Sequence, residues 1–201
     1  MEYGAQAGDP WVLYNINGDG IYHMWFNGLD ADGHAKIYYT NSTDGINWNT
    51  PVLVLDVGVT GSYDDAYAHK PSVVYKDGEF WMFYSAQQNG GNRTIALAKS
   101  TNPWGQFTKY GVVLEPTETW EDGFLDCPSV MYDEEDGNWK MWYSAGKLNG
   151  VDEPEYICYS TSTDGYNWVK YSGNPIISPL LGSWQGGALG GSQVIKMNGD
   201  T

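Results

Sequence analysis

One phrase recurs along the 201 residues, and it constrains the fold more than any other feature. Its best copy is Phe124-Leu-Asp-Cys-Pro-Ser-Val-Met-Tyr-Asp-Glu-Glu-Asp-Gly-Asn-Trp-Lys-Met-Trp-Tyr-Ser-Ala-Gly146. The segment reads as a loop delivering Asp126, an alternating strand from Ser129 to Tyr132, an acidic turn ending in Gly137, and an aromatic strand from Trp139 to Tyr143. A second copy runs from His69 to Ala86, a weaker one from Pro10 to Phe26, and the start of a fourth from Gly191 to Asp200. Pro10, Pro71, Pro128 and Gly191 recur at spacings of 61, 57 and 63 residues. A fixed period decides architecture before any local propensity does.

Each copy continues alike. Ala35–Thr40, Thr94–Lys99 and Glu155–Ser160 read as third strands. They lead into Ser42-Thr-Asp-Gly-Ile-Asn-Trp48, Ser100-Thr-Asn-Pro-Trp-Gly-Gln-Phe107 and Ser162-Thr-Asp-Gly-Tyr-Asn-Trp168, each a polar turn followed by a short fourth strand. Four antiparallel strands per repeat describe a β-propeller blade, so the expected class is all-β. The 26 Gly, 10 Trp and 16 Tyr agree, and no window has sustained helical periodicity. A blade buries both faces, so Trp25, Trp48, Trp81, Trp142 and Trp168 are expected in the core.

The count gives three blades, about 9 to 57, 66 to 115 and 124 to 178, plus one inner strand from 188, within a single domain or fragment spanning 1 to 201. A propeller ring needs at least about four blades. The expectation is therefore that further blades, or association with another chain, complete the ring and cover its strand edges. Neither a signal peptide nor a membrane span is visible. A formal charge of −15, with 25 acidic against 10 basic residues, argues against nucleic acid and anionic membranes. It fits an extracellular or cell-surface protein and a neutral partner such as a carbohydrate.

Cys127 and Cys158 flank the second strand of the third repeat, two strand spacings or roughly 9 to 10 Å apart, beyond disulfide reach. Both read as small buried thiols. His23 and His34 have no partner at metal-ligand spacing, and no cofactor motif is present. The acidic run Asp133–Asp136 reads as a solvated hairpin tip, calcium being the alternative that its spacing does not support. Asp44 and Asp164 read as turn-capping residues.

Chemistry is expected where the segments entering the inner strands converge on a central funnel. Aligning Tyr63-Asp-Asp-Ala-Tyr-Ala-His-Lys-Pro71 over Trp120-Glu-Asp-Gly-Phe-Leu-Asp-Cys-Pro128 matches Asp64 with Glu121, Asp65 with Asp122 and His69 with Asp126. Asp9 precedes Pro10, and the fourth entrance, Trp184-Gln-Gly-Gly-Ala-Leu-Gly-Gly191, supplies an aromatic and no carboxylate. A cluster of carboxylates drives pKa values apart, as an acid and a base for glycoside hydrolysis require.

The Pro-Ser-Val, Met-Trp-Tyr-Ser and Ser-Thr-Asp-Gly-x-Asn-Trp text resembles the five-bladed propeller glycoside hydrolases, the superfamily of arabinanases, β-xylosidases, invertases and levansucrases. The resemblance covers nearly all of residues 9 to 200. It implies three acids on inner strands: an Asp base or nucleophile, an orienting Asp and a Glu proton donor. By position it assigns the first to Asp9, an inner-strand acid to Asp126 and the donor to Glu121. At the second blade His69 takes the place of the expected acid, with Asp65 nearby.

Two function classes follow. In a glycosidase, Asp126, Glu121, Asp65, His69 and Asp9 carry the chemistry. In a carbohydrate-binding or structural propeller, for instance of a virion or surface assembly, Trp120, Trp184, Tyr63 and Tyr67 stack on sugar faces and acids such as Asp122 only accept hydrogen bonds from hydroxyls.

Overall fold

The computed structural model describes residues 6–147, 150, 153–179 and 188–196. Twelve strands form three four-stranded antiparallel blades of a partial propeller. The first blade holds β1 (Gln6–Tyr14), β2 (Tyr22–Leu29), β3 (Ala35–Ser42) and β4 (Val52–Leu55). The second holds β5 (Tyr67–Lys76), β6 (Glu79–Gln87), β7 (Arg93–Ser100) and β8 (Thr108–Leu114). In the third are β9 (Leu125–Asp133), β10 (Asn138–Lys147), β11 (Pro154–Ser162) and β12 (Val169–Lys170). Each blade meets the next through one parallel bridge at its entrance: Ala35 with Tyr67, and Arg93 with Phe124.

Packing explains why the strands are apolar on both sides. On β6, Phe80, Met82 and Tyr84 face the first blade, where they pack with Trp25, Ile37 and Leu55. The alternate residues Trp81 and Phe83 face the third blade, against Trp139, Met141 and Tyr143. Period-2 geometry puts successive side chains in two different inter-blade cores, each large ring contributing roughly 2–3 kcal/mol through burial.

The core expectation holds for Trp25 and Trp81 and is corrected for the others. Trp168 is half-buried, edge-on to Phe83 at 5.6 Å. Trp48 and Trp142 are also half-buried: Trp48 lines an open groove with Met24 and Phe26, and Trp142 packs on Tyr159 of its own blade. No described blade stands against either face.

The repeated Ser-Thr-Asp-Gly turns are built as expected. Asp44 Oδ1 accepts the backbone N–H groups of Ile46 and Asn47, and Asp164 Oδ1 those of Tyr166 and Asn167. Those bonds hold both carboxyls well below the ordinary range. Both cysteines are free thiols, but Cys127 is only half-buried. His23 is held between Tyr39 and Asp19. His34 departs from expectation, because Asp30, Asp32 and His34 bring ligand atoms within 4.8 Å of one another. Lys36 already stands 3.2 Å from Asp30 there. At the hairpin tip, Asp133, Glu135 and Asp136 pair with Lys140 and Lys196.

Candidate active site

A β-bulge interrupts each inner strand at its entrance, between Gly8 and Trp11, His69 and Ser72, and Asp126 and Ser129. The cause is a proline, which cannot donate to the ladder, preceded by a residue with left-handed backbone: Asp9 (φ 49°), Lys70 (φ 52°) and Cys127 (φ 50°). The bulge turns these residues to the propeller axis. They line a pocket of about 250 Å³ together with the three prolines and Gly191, Ser192 and Gln193.

The residue after each proline ties its blade to the next. Trp11 Nε1 donates to Val73 O at 2.9 Å, and Val130 N and Val194 N donate to Ser72 Oγ and Ser129 Oγ, both at 3.0 Å. This pattern sets Ser192, not Gly191, where the other entrances have proline, correcting the repeat register by one. Gly191 then faces the axis, where a Cβ would lie 2.8 Å from that of Cys127, so only glycine fits.

One residue earlier the chemistry changes. Asp126 is fully buried, and its Oδ2 accepts from Lys70 Nζ at 2.6 Å and Arg93 Nη1 at 3.0 Å. Arg93 is buried, with both Nε and Nη2 donating to Gln87 Oε1 and its guanidinium 4.5 Å from the centre of the Phe124 ring. Oδ1 of Asp126 is buried without a hydrogen-bond partner among the described residues. Burial would raise the Asp126 pKa, but the charges of His69, Lys70 and Arg93 outweigh it and hold the carboxyl well below its ordinary range. His69 is nearly buried, its ring 5.5 Å from that of Tyr67.

The remaining entrance acids go elsewhere. Glu121 is fully buried, but Oε2 accepts the N–H groups of Thr117 and Glu118, and both carboxylate oxygens accept from Lys170 at 2.6 Å. Lys170 lies on the outermost strand, β12, so the expected proton donor is turned from the axis to the rim. Asp65 accepts the N–H groups of Gly61 and Asn89, a loop-capping role that lowers its pKa. Asp122 is exposed in the left-handed turn after Glu121.

Of the aromatics proposed to stack on sugar, Trp120 packs edge-on against Tyr156 at 5.3 Å, and Tyr63 hydrogen-bonds Tyr84. Trp184 lies outside the described residues. The structure thus puts Asp9 in the lining of the axial pocket, buries Asp126 and His69 near each other behind Lys70, and leaves Glu121 and Asp65 out of it. Sequence reasoning missed Lys70, Arg93 and Cys127. Counting back from each proline would have found two of them, since Asp9 is equivalent to Lys70 and Cys127, one place after Asp126.

Three four-stranded antiparallel blades whose bulged inner strands meet at one axial pocket define a partial β-propeller. The sequence profile of glycosyl hydrolases family 43 matches residues 5–200, and the chain belongs to that family. A search of curated proteins finds no match.

Similar solved structures include a BT0996 RGII complex, 18% identical with a TM-score of 0.73, covering 87% of the present sequence and 59% of that protein. Zg3597, a family 117 glycoside hydrolase of the marine bacterium Zobellia galactanivorans, is 15% identical with a TM-score of 0.71, covering 86% and 57%. Fructan 1-exohydrolase IIa of Cichorium intybus is 18% identical with a TM-score of 0.67, covering 83% and 32%. At these identities the likeness is one of fold. The 201 residues span less than two thirds of each of these structures.

Proposed function

We propose that the axial pocket is the site at which a glycosidic bond of an uncharged oligo- or polysaccharide is cleaved. The observation that carries this reading is that an exposed carboxylate, Asp9, lines one pocket with Lys70, whose ammonium is held from behind by the buried, ionised Asp126, in a family 43 protein. Asp9 is the base or nucleophile: it takes the proton of an attacking water, or itself bonds to the anomeric carbon. Asp126 stays ionised and orders the cationic groups around the pocket. The leaving oxygen needs a proton from an acid as the glycosidic bond breaks.

A second reading, sugar binding without turnover, is favoured by the placement of Glu121. Among the described residues no further carboxyl lines the pocket to serve as that acid. A panel of aryl glycosides and polysaccharides separates the two. Turnover lost by about a hundredfold or more in Asp9→Asn and Asp126→Asn, with folding retained, supports hydrolysis. Binding of a polysaccharide with no turnover by the wild type selects the second reading, and neither binding nor turnover sinks both.

A further inference from the structure

The bulges sort the entrance residues into two ranks. Asp9, Lys70 and Cys127 line the axial pocket, whereas Asp126 does not and has no exposed surface. The Lys70 side chain keeps 22% of its surface exposed while its ammonium stands 2.6 Å from Asp126 Oδ2. Arg93, buried behind, already supplies a full positive charge to that oxygen. An ammonium carries three N–H donors. Asp126 takes one, which leaves donors for the pocket that Lys70 lines.

We propose that Lys70 is the side chain that meets the sugar in the axial pocket, as a specificity-determining contact, and that Asp126 is a positioning residue acting through it. The inference rests on the carbohydrate reading above and goes beyond it in naming the contact. Lys70 donates to a hydroxyl or ring oxygen, and Asp9, lining the same pocket from the first blade, accepts from a hydroxyl of the same sugar. That alternation of donor and acceptor suits a hydroxylated sugar, whose hydroxyls both accept and donate. Arg93 and Lys70 both pin Oδ2, so the carboxylate holds the ammonium in place across two blades.

The test is a double-substitution cycle in the protein, with 4-nitrophenyl α-L-arabinofuranoside and β-D-xylopyranoside for turnover and arabinan and xylan for calorimetric binding. Lys70→Met should weaken KM or Kd about tenfold or more, Asp126→Asn comparably, and the double variant little further, with Lys70→Arg recovering part of the loss. Wild-type binding or turnover that Lys70→Met leaves within twofold, while Asp126→Asn abolishes it, overturns this assignment and leaves the carbohydrate reading standing. No binding or turnover of any probe by the wild type removes both. Should Lys70→Met not fold, crystals soaked with arabinose or xylose decide: a sugar oxygen within about 3 Å of Lys70 Nζ supports the contact. A sugar seated on Asp126, or one bound without touching Lys70, refutes it.

Discussion

The entrances of the second and third blades are built to one plan and differ at one place. Seven residues before the proline, each has a fully buried acid, Asp64 and Glu121. Each acid is ion-paired at 2.6 Å with a lysine of its own blade's outermost strand, Lys109 and Lys170. A buried tyrosine stands by each: Tyr84 donates to Asp64 at 3.0 Å, and Tyr143 feels the charge of Glu121. The two residues before the proline break the likeness, being His69-Lys70 in one blade and Asp126-Cys127 in the other. The outer acid is a strut between the entrance loop and the far edge of its blade. The inner pair, placed by the bulge, is where the repeat diversifies its chemistry.

The largest expected effect tests the strut. Removing one partner of a buried ion pair leaves the other charge uncompensated and costs about 3–5 kcal/mol. Glu121→Gln also sets an amide against the Thr117 and Glu118 N–H donors. We expect Glu121→Gln and Asp64→Asn each to lower the melting temperature by roughly 6–20 °C at this chain length. Adding Lys170→Met to the first, or Lys109→Met to the second, should recover part of the loss. A fall under about 2 °C with lost glycan turnover would instead return Glu121 to the chemistry.

The four-stranded blades and the turn-capping Asp44 and Asp164 were legible because alternation and Asx-turn spacing lie within a few residues. Glu121 was misread for a physical reason. Its entrance position is visible in the text, but the partner that decides its direction, Lys170, lies 49 residues on. Lys70 was passed over because the left-handed conformation that turns it to the axis is set by a bulge, and a bulge moves the axis-facing place by one residue. Arg93 joins Asp126 only through the bridge between blades. Half-buried Trp48 and Trp142 show the same limit, since the text gives the ring but not whether a neighbour covers it.

A middle-sized effect separates the two inner pairs by pH. The folded-state pKa of Asp126 is depressed, against its burial, by His69, Lys70 and Arg93. Its stabilisation is therefore fully present above the unfolded carboxyl value of about 3.9 and is lost as pH falls through the lower folded value. Lys70→Met removes one of those charges, so its cost should be greatest near neutrality, on the order of 5 °C in melting temperature, and shrink below pH ~4. A cost that does not shrink even where the wild type itself loses the Asp126 stabilisation, towards the depressed folded value, would mean that Lys70 contributes packing alone.

The smallest effect uses the thiols as reporters, one for each acid of the third entrance. Burial and then the charge of Asp126 push Cys127 up to about 12, against the opposing pull of Lys70. Burial and then the charge of Glu121 push Cys158 likewise to about 12. Because the thiolate is the nucleophile, both should react with iodoacetamide at pH 8 far more slowly than a free cysteine. Cys127 should do so even though it lines a pocket. Taking away the neighbouring negative charge lowers the thiol pKa, so Asp126→Asn should speed alkylation of Cys127 severalfold and leave Cys158 unchanged. Glu121→Gln, assayed well below its melting temperature, should leave Cys127 unchanged, while Cys158, which is fully buried, stays unreactive. Equal acceleration of Cys127 by either substitution would show that the axial acid and the rim acid are not electrostatically separate, and the distinction between strut and inner pair would fail.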